Sequence, residues 1–503
     1  MCGLVGTTNT NTVEHMLDRQ AFRGPDGSRF WSDENFAIGH CLLDISGEQQ
    51  FQPIKTKNGN ILAFVGEMYD SSIANDTMWL ANMYETYGHK VLEWSDWHGA
   101  ILHYNPKTTD LTIVRDHFGA KPLWFYKKGK NIEVSTSLRS FLKKESDRTT
   151  WSRHMHSKQW IGRRTQWKYI HKVAPGDLIT FNLSNGTIRY NTLWKYHKIE
   201  EKRLDEQEFS DKLIESINKV GKNIQKTGLF LSGGFDSTMV FSALKNSDID
   251  LHIYATRYDT KPAIKWDHEG FRRELQKAQG TCQEFGYPLN EVLLPRDDRY
   301  MNHMKWIERT HFLWSDKNRT APRYALARQA AKDGCKVILT GDSADELVTG
   351  YKHHHKRFNH QYNLETMEWV KNKEVWFPTK CWGKDSINNT LFHDLLTTSE
   401  QNILTTDQTA GMFGMESRPC FLTQSFAKYC LDINGADKLK KHPDYHHGEY
   451  KYLLREVMKD YIPLHVRKRS MKIGWSSPWD NNNEKVIKRE QLEQLIYLEE
   501  MCK

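Results

Sequence analysis

The sequence predicts two domains in series, an α+β domain followed by an α/β domain built on a doubly wound parallel sheet. Three observations carry this. Short alternating apolar runs, split by turn residues, fill roughly the first 190 residues. After about Lys198, strand-like runs alternate with helical ones. Two of those later strands run into polar loops, Ser232–Asp236 and Gly341–Glu346.

In the first region, Asn60–Val65, Ala100–Tyr104 and Leu111–Val114 read as strands, with turns at Asn105–Pro106 and Lys128–Gly129. Asp76–Tyr87 reads as a helix, because Met78, Leu80, Ala81, Met83 and Tyr84 form one broad face. The charged stretch His197–Glu208 marks a change of pattern, and the boundary between the domains is placed at 198/199. Phe209, Leu213, Ile214, Ile217 and Val220 then recur at helical spacing. Gly228–Leu231, Leu251–Thr256 and Lys336–Thr340 read as strands, and Ala321–Lys332 as a helix. In such a sheet, ligands bind outside the carboxyl ends of the strands.

Composition narrows the function. The 503 residues suffice for two or three buried cores, and 38% apolar with 12% aromatic residues is a globular composition. No run approaches the roughly 18 to 20 apolar residues of a membrane helix. The start, Met1–His15, lacks the basic and apolar regions of a secretory signal, so a soluble cytoplasmic protein is expected. The net charge of +8 is mild for this length, and the basic residues are scattered apart from Lys352–Arg357 and Arg467–Lys472. That argues against a nucleic-acid partner. The eight cysteines show no zinc-like spacing. His353–His355 and His446–His447 are adjacent histidines, which diverge by about 100° on a helix and share an ion poorly. Trp79, Trp94, Trp97 and Trp124 form no spaced ladder for stacking bases.

The most informative stretch is Leu231-Ser-Gly-Gly-Phe-Asp-Ser237, between a strand and a helix. Its glycines let the backbone approach a polyanion, with successive N–H groups available at a helix N-terminus. Ser232 and Ser237 add hydroxyl donors, and Asp236 is suited to Mg²⁺. The lysine of a Walker A loop is missing. The second loop, Gly341-Asp-Ser-Ala-Asp-Glu346, opens on the same sheet edge, so Asp342, Asp345 and Glu346 can complete a Mg²⁺ site. The plain alternative is a capped strand–turn–helix connection with a solvated acidic loop.

These residues resemble the asparagine synthetase family, whose SGGxDS loop binds ATP pyrophosphate and is followed by SGEGxDE. Gly414–Leu422 is similar to its GxExRxPFLD, with Thr423 in place of aspartate. Glu449–Arg455 with Ile462-Pro463 is similar to GKxxLRE…LP, and Lys472–Pro478 to K-x-G-F-x-x-P. The resemblance implies that Leu231, Ser232, Gly233, Gly234, Asp236, Ser237, Thr256, Thr340 and Gly341 bind ATP. It implies that Asp236 and Asp345 hold Mg²⁺, that Lys472 contacts the phosphates, and that Asp342 replaces the glutamate assisting acyl-adenylate formation.

The N-terminus adds a second chemistry. With Met1 removed, Cys2 would carry a thiol and an α-amine whose pKa near 7.7–8.0 suits a general base. Met1–Gly6 and Arg23–Asp26 resemble class II glutamine amidotransferases, N-terminal-nucleophile hydrolases with an αββα sandwich. Gly66-Glu67-Met-Tyr69 is similar to their NGEIYN, Asp76 to the aspartate holding the glutamine amine, and Arg115–Gly119 with Pro122-Leu123 to RDxxGxxPL. Ala174–Asp177 is similar to the turn closing that domain. Two positions depart. Leu42 stands where the family arginine grips the glutamine carboxylate, and Val65 where an asparagine donates to the oxyanion.

The implied activity is adenylation of a carboxylate, aspartate first, followed by amidation with ammonia from glutamine or from solution. The partners are small molecules only, and no residue pattern decides for or against a homodimer. One rival is an adenylating ligase with another acceptor, similar to β-lactam-forming or lasso-peptide-closing relatives. The acceptor-linked R-A-S-T-P-like stretch of the family reads Lys317–Pro322 here. The other rival is a binding protein whose glutaminase half is a scaffold.

Overall fold

In a computed structural model, residues 1–47, 50–70, 75–151, 162–194, 198–222, 226–259, 267–295, 298–313, 317–351, 354, 385–439, 451–468, 493–494 and 496–501 are described. Lys472 and its neighbours lie outside them, as does Cys502. Among the described residues no helix is long and apolar enough to cross a membrane.

Two six-stranded antiparallel sheets form the N-terminal part. One runs in the order Ile170–Lys172, Trp124–Lys128, Asn131–Ser135, Gly3–Thr7, Ala37–Cys41, Ser28–Ser32. The other runs Ile188–Thr192, Asp177–Asn182, Asp110–Arg115, Trp97–Asn105, Ile61–Met68, Ile54–Lys55. Successive side chains on a strand point to opposite faces, and this period builds four layers. Leu4, Ile38 and Val134 meet Ala63, Leu102 and Ile179 between the sheets. Val5 and Ala37 point outward onto Val13, Met16 and Leu17 of the helix Val13–Asp18. On the far side, Leu62, Phe64 and Ile101 pack under Leu80 and Tyr84 of the helix Asp76–Tyr87. That helix starts where Asn75 accepts from the Met78 amide and ends at Gly88, whose φ of +59° suits a glycine. The layers are thus αββα.

The C-terminal part holds a five-stranded sheet, ordered Leu289–Leu294, Leu251–Tyr258, Thr227–Phe230, Val337–Thr340, Glu416–Pro419, with all pairings parallel. Both faces are covered. Leu229, Ile253 and Leu339 face Leu213, Ile217 and Met239, whereas Phe230, Tyr254 and Ile338 face Leu326, Ala327 and Ala330. The helix over the second face runs Lys317–Lys332, starting four residues earlier than the sequence pattern predicts and carrying Pro322 inside it. Pro322 is the sixth residue, past the first turn, so the helix gives up there the N–H that would donate to the carbonyl four residues back. Strand order reverses between Thr227–Phe230 and Val337–Thr340, and there the two polar loops lie side by side.

The two parts are joined by buried charge. The helix Glu400–Gly411 is sunk in the protein. Glu400 and Asp407, about two turns apart on one face, both point at the N-terminal sandwich. Glu400 takes Arg115 at 2.8 Å and Lys172 at 2.7 Å, and Asp407 takes Arg23 at 2.9 Å. Lys121 lies 3.7 Å from Glu416 and 3.9 Å from Asp407, and donates to the Ser417 carbonyl at 2.7 Å. Burial opposes ionisation of Glu416, yet Lys121 and Arg418 hold its pKa down at about 2. His98 has its pKa lowered to about 4 by burial. Its neutral ring bridges the Tyr69 hydroxyl at 2.9 Å and the Leu422 carbonyl at 2.8 Å.

Removing one partner of such a buried set strands the others. Glu400→Ala should therefore destabilise the protein by about 3–5 kcal/mol, read as a lowered urea midpoint; an unchanged midpoint would show that the set is not structural. A folded pKa depressed below the unfolded value gives stability that is complete above the unfolded pKa and lost as pH falls through the folded one. The Glu416 contribution should accordingly persist down to about pH 4.5 and fade toward pH 2 in acid titrations followed by tryptophan fluorescence.

Candidate active site

The first loop leaves the strand Thr227–Phe230, with the Leu231 amide donating to Tyr254 at 2.8 Å. Ser232 is tied back on itself: its amide donates to Ser237 Oγ at 3.1 Å, the two hydroxyls are 3.1 Å apart, and the Gly234 amide donates to Ser232 Oγ at 3.3 Å. Gly233 has φ +76°, and a Cβ there would sit 2.2 Å from the Glu274 carbonyl oxygen. Gly234 caps the helix Phe235–Leu244, whose N-terminus therefore faces the crevice. This is the geometry of an anion nest.

The second loop leaves Val337–Thr340 and presses on the first. A Cβ on Gly341 would lie 2.7 Å from the Asp236 backbone, so only glycine allows the two loops to touch. Asp342 Oδ2 accepts from the Thr406 hydroxyl at 2.9 Å, with the Arg323 guanidinium 3.9 Å away. Thr406 lies on the same helix as Glu400 and Asp407. Glu346 accepts from the Tyr351 hydroxyl at 3.0 Å. Thr256 lies near the carboxyl end of Leu251–Tyr258 and hydrogen-bonds with Tyr258.

The structure thus brings Asp236 and Asp345 together, and it does so around a residue not singled out in the sequence. The Lys451 ammonium pairs with Asp236 and, at 2.8 Å, with Asp345 Oδ1. Burial alone would lower the pKa of Lys451, but the two carboxylates outweigh it and raise it. The signal for this residue lay within Glu449–Arg455, where it appeared only as part of a motif. Two carboxylates beside an anion nest also match Mg²⁺, which takes one or two carboxylates and completes its shell with phosphate and water. Asp236 and Asp345 fit that ion.

Cys2 Sγ accepts from the Leu43 amide at 3.2 Å, and burial raises the thiol pKa to about 11. Met1 is buried, its ammonium donating to the Met415 carbonyl at 2.8 Å. Leu42 and Val65 are buried apolar side chains. Arg23, buried near Cys2, pairs with Asp407 at 2.9 Å. Gly66 has φ +135°, and a Cβ there would overlap the His98 carbonyl. Glu67 carries a partner the sequence did not reveal: Arg418, from the edge strand Glu416–Pro419 of the parallel sheet, reaches it at 2.6 Å. Burial raises the Glu67 pKa to about 7 despite Arg418, and burial raises that of Asp76 to about 6.

An antiparallel double sandwich with a cysteine at position 2, joined to a parallel sheet with an anion crevice at its switch point, defines a two-part amidotransferase architecture. The family model described as asparagine synthase matches residues 208–499, and the glutamine amidotransferase domain matches residues 1–194. The chain belongs to the asparagine synthase family, with a glutamine amidotransferase domain in front. It is 25% identical over 391 residues to glutamine-hydrolyzing asparagine synthetase 1 of Bacillus subtilis, covering 70% of this chain and 59% of that protein. It is 23% identical over 376 residues to the amidase chyE of Penicillium rubens, covering 67% of this chain and 55% of that one. Against the glutamine-hydrolyzing asparagine synthetase B of Escherichia coli it is 21% identical over 509 residues, covering 93% of this chain and 80% of that protein. The matched part thus spans less than two thirds of the first two relatives.

The crevice geometry makes one glycine testable against another. Gly233→Ala should abolish binding of ATP by the full chain, because the new Cβ must displace the loop. Gly129→Ala, also at positive φ but in open space, should leave ATP binding intact and cost roughly 1 kcal/mol of stability from backbone strain. Equal ATP affinity in both variants would remove the loop from the site.

Proposed function

We infer that this chain is an ATP-dependent amidoligase that converts aspartate to asparagine, with residues 2–198 as the amidotransferase unit and 199–503 as the synthetase unit. One observation carries the reading: Asp236 and Asp345, from different strands, meet at the switch point beside the nest formed by Ser232–Gly234. The substrates are ATP, a carboxylate and a nitrogen donor, all small molecules of the cytoplasm.

The Ser232–Gly234 nest and the Ser237 hydroxyl receive the phosphates of ATP as substrate, with Thr256, Thr340 and Gly341 lining the remaining crevice. Mg²⁺ held by Asp236 and Asp345 would offset the charge of the departing pyrophosphate. The substrate carboxylate attacks the α-phosphorus, forming a C–O–P linkage as the α–β phosphoanhydride breaks. Asp342, held by Thr406 and Arg323, faces this step from the second loop. Ammonia then adds to the activated carbonyl and AMP leaves, with the surplus ammonia protons lost to solvent.

Ammonia from solution is the favoured donor. Leu42 cannot pair with a glutamine carboxylate, and Val65 cannot donate to an oxyanion. Glu67, which the amidotransferase resemblance assigns to glutamine, is held by Arg418. Cys2 becomes an N-terminal nucleophile only with Met1 gone. A second reading, an amide ligase with a different acceptor, draws support from Arg323, a buried guanidinium set beside Asp342 and directly following the stretch Lys317–Pro322 that the resemblance ties to the acceptor.

Incubation with ATP, Mg²⁺, aspartate and ammonium should yield asparagine, AMP and pyrophosphate in equal amounts. Aspartate left inert while another carboxylic acid releases pyrophosphate would favour the second reading. Asp236→Asn and Asp345→Asn should each reduce pyrophosphate release by at least about 10²-fold, as expected for groups that hold catalytic charge in place. Glutamine should give a higher KM and a lower kcat than ammonium, and Cys2→Ala should remove only the glutamine-dependent rate. Equal use of both donors would refute the assignment of ammonia.

A further inference from the structure

Lys451 enters the crevice from a segment remote in sequence from both loops, and three features fix it there. Its side chain is only 6% exposed. Its own backbone has φ +66°, in the left-handed region that residues with a Cβ rarely adopt. The segment then continues as a π-helical turn, Leu453–Val457, instead of an α-helical one. Local departures of both kinds are enriched where a side chain must be aimed. The segment is also pinned to the first loop, because the Arg455 guanidinium lies over the Phe235 ring, 4.7 Å from its centroid. Arg455 donates as well to the Arg467 carbonyl at 2.7 Å. Lys451 is therefore held in register with Asp236, which directly follows Phe235.

A single ammonium between two carboxylates has the place of a divalent cation and half its charge. It offsets the repulsion that Asp236 and Asp345 would otherwise exert on each other across the gap. It is also poorly compatible with a cation on the same oxygens, since two positive centres would then lie within a few ångström in a crevice of low dielectric. The lysine stem has four rotatable bonds, so the ammonium can move without any shift of its backbone. The phosphates of ATP offer it a new set of acceptors in the same crevice.

We propose that Lys451 is the internal counter-ion of the metal site: it pairs with Asp236 and Asp345 until a cation arrives, yields them to Mg²⁺, and transfers its ammonium to the phosphates of the incoming nucleotide. The proposal rests on the reading of this crevice as the ATP site. It makes Lys451 a residue whose removal changes metal and nucleotide affinity in opposite directions. A purely structural ion pair would change both in the same direction.

The test uses the full-length chain with Lys451→Ala, Lys451→Met and Lys451→Arg. Mn²⁺ binding without nucleotide is followed by electron paramagnetic resonance, and Mg·ATP binding by titration calorimetry. Loss of the charge in the alanine and methionine variants should tighten Mn²⁺ by about tenfold or more and weaken Mg·ATP by about tenfold or more, the scale of one charge-assisted hydrogen bond. The arginine variant should keep Mn²⁺ affinity near that of the unmodified chain. Mn²⁺ affinity that is unchanged, or that falls together with ATP affinity in both charge-removing variants, overturns the proposal. Absence of Mg·ATP binding by the unmodified chain overturns the ATP reading and the phosphate half of the proposal with it. The Mn²⁺ arm decides separately whether Lys451 guards the carboxylates.

Discussion

Everything in the molecule is organised around the buried helix Glu400–Gly411, whose carboxylates reach into the N-terminal sandwich while Thr406 reaches the second crevice loop. Its interior is costly: each ion taken from water loses several kcal/mol of hydration that only close, well-oriented partners return. Arg115, Lys172 and Arg23 supply those partners from the sandwich. Apolar residues of similar volume could hold two halves together as firmly. What charge adds is register, since Glu400 and Asp407 meet their partners in only one relative placement. The helix thereby fixes the distance between the Cys2 region and Asp342.

The same economy of charge shapes the crevice. Parallel strands deliver their loops to one edge, and the reversal of strand order leaves a gap there. Gly233 and Gly341 are the positions at which a side chain would close that gap, one against Glu274 and the other against Asp236. The gap brings donors and carboxylates together at its floor. Lys451 then balances the carboxylates from a third direction. A polyanion with its cation would meet the backbone donors already oriented, and only the Lys451 ammonium would have to move.

Much of this was legible in the sequence because its signals are local. The alternation in Asn60–Val65, the helical face of Asp76–Tyr87 and the strand–loop–helix at Leu231–Ser237 each follow from neighbours within a few residues. The helix Lys317–Lys332 begins four residues before the predicted start at Ala321, because Lys317-Asn-Arg-Thr320 adds no apolar residue to the helical pattern. What stayed hidden depends on long-range pairing. Arg418 and Glu67 are 351 positions apart, and Lys451 and Asp236 are 215 apart. No periodicity links such residues; only the fold does. A motif match had already covered both cations without giving either a partner, because a motif records which residues recur and not what they touch. Lys472 and the stretch after it lie outside the described residues.

The buried pairs have a consequence for how this chain can vary over time. Arg115 with Glu400, Arg23 with Asp407, and Arg418 with Glu67 each join positions hundreds of residues apart. A change at one member alone leaves a stranded charge, so drift at these positions is confined to double replacements or to simultaneous conversion of a whole cluster into apolar residues. An alignment of close descendants should therefore show correlated columns across the two halves and none of the free exchange expected between modules that merely share a polypeptide. The two halves should accordingly be inherited as one unit, and recombination that swaps either for a distant counterpart would have to carry the helix Glu400–Gly411 along with the sandwich it was fitted to.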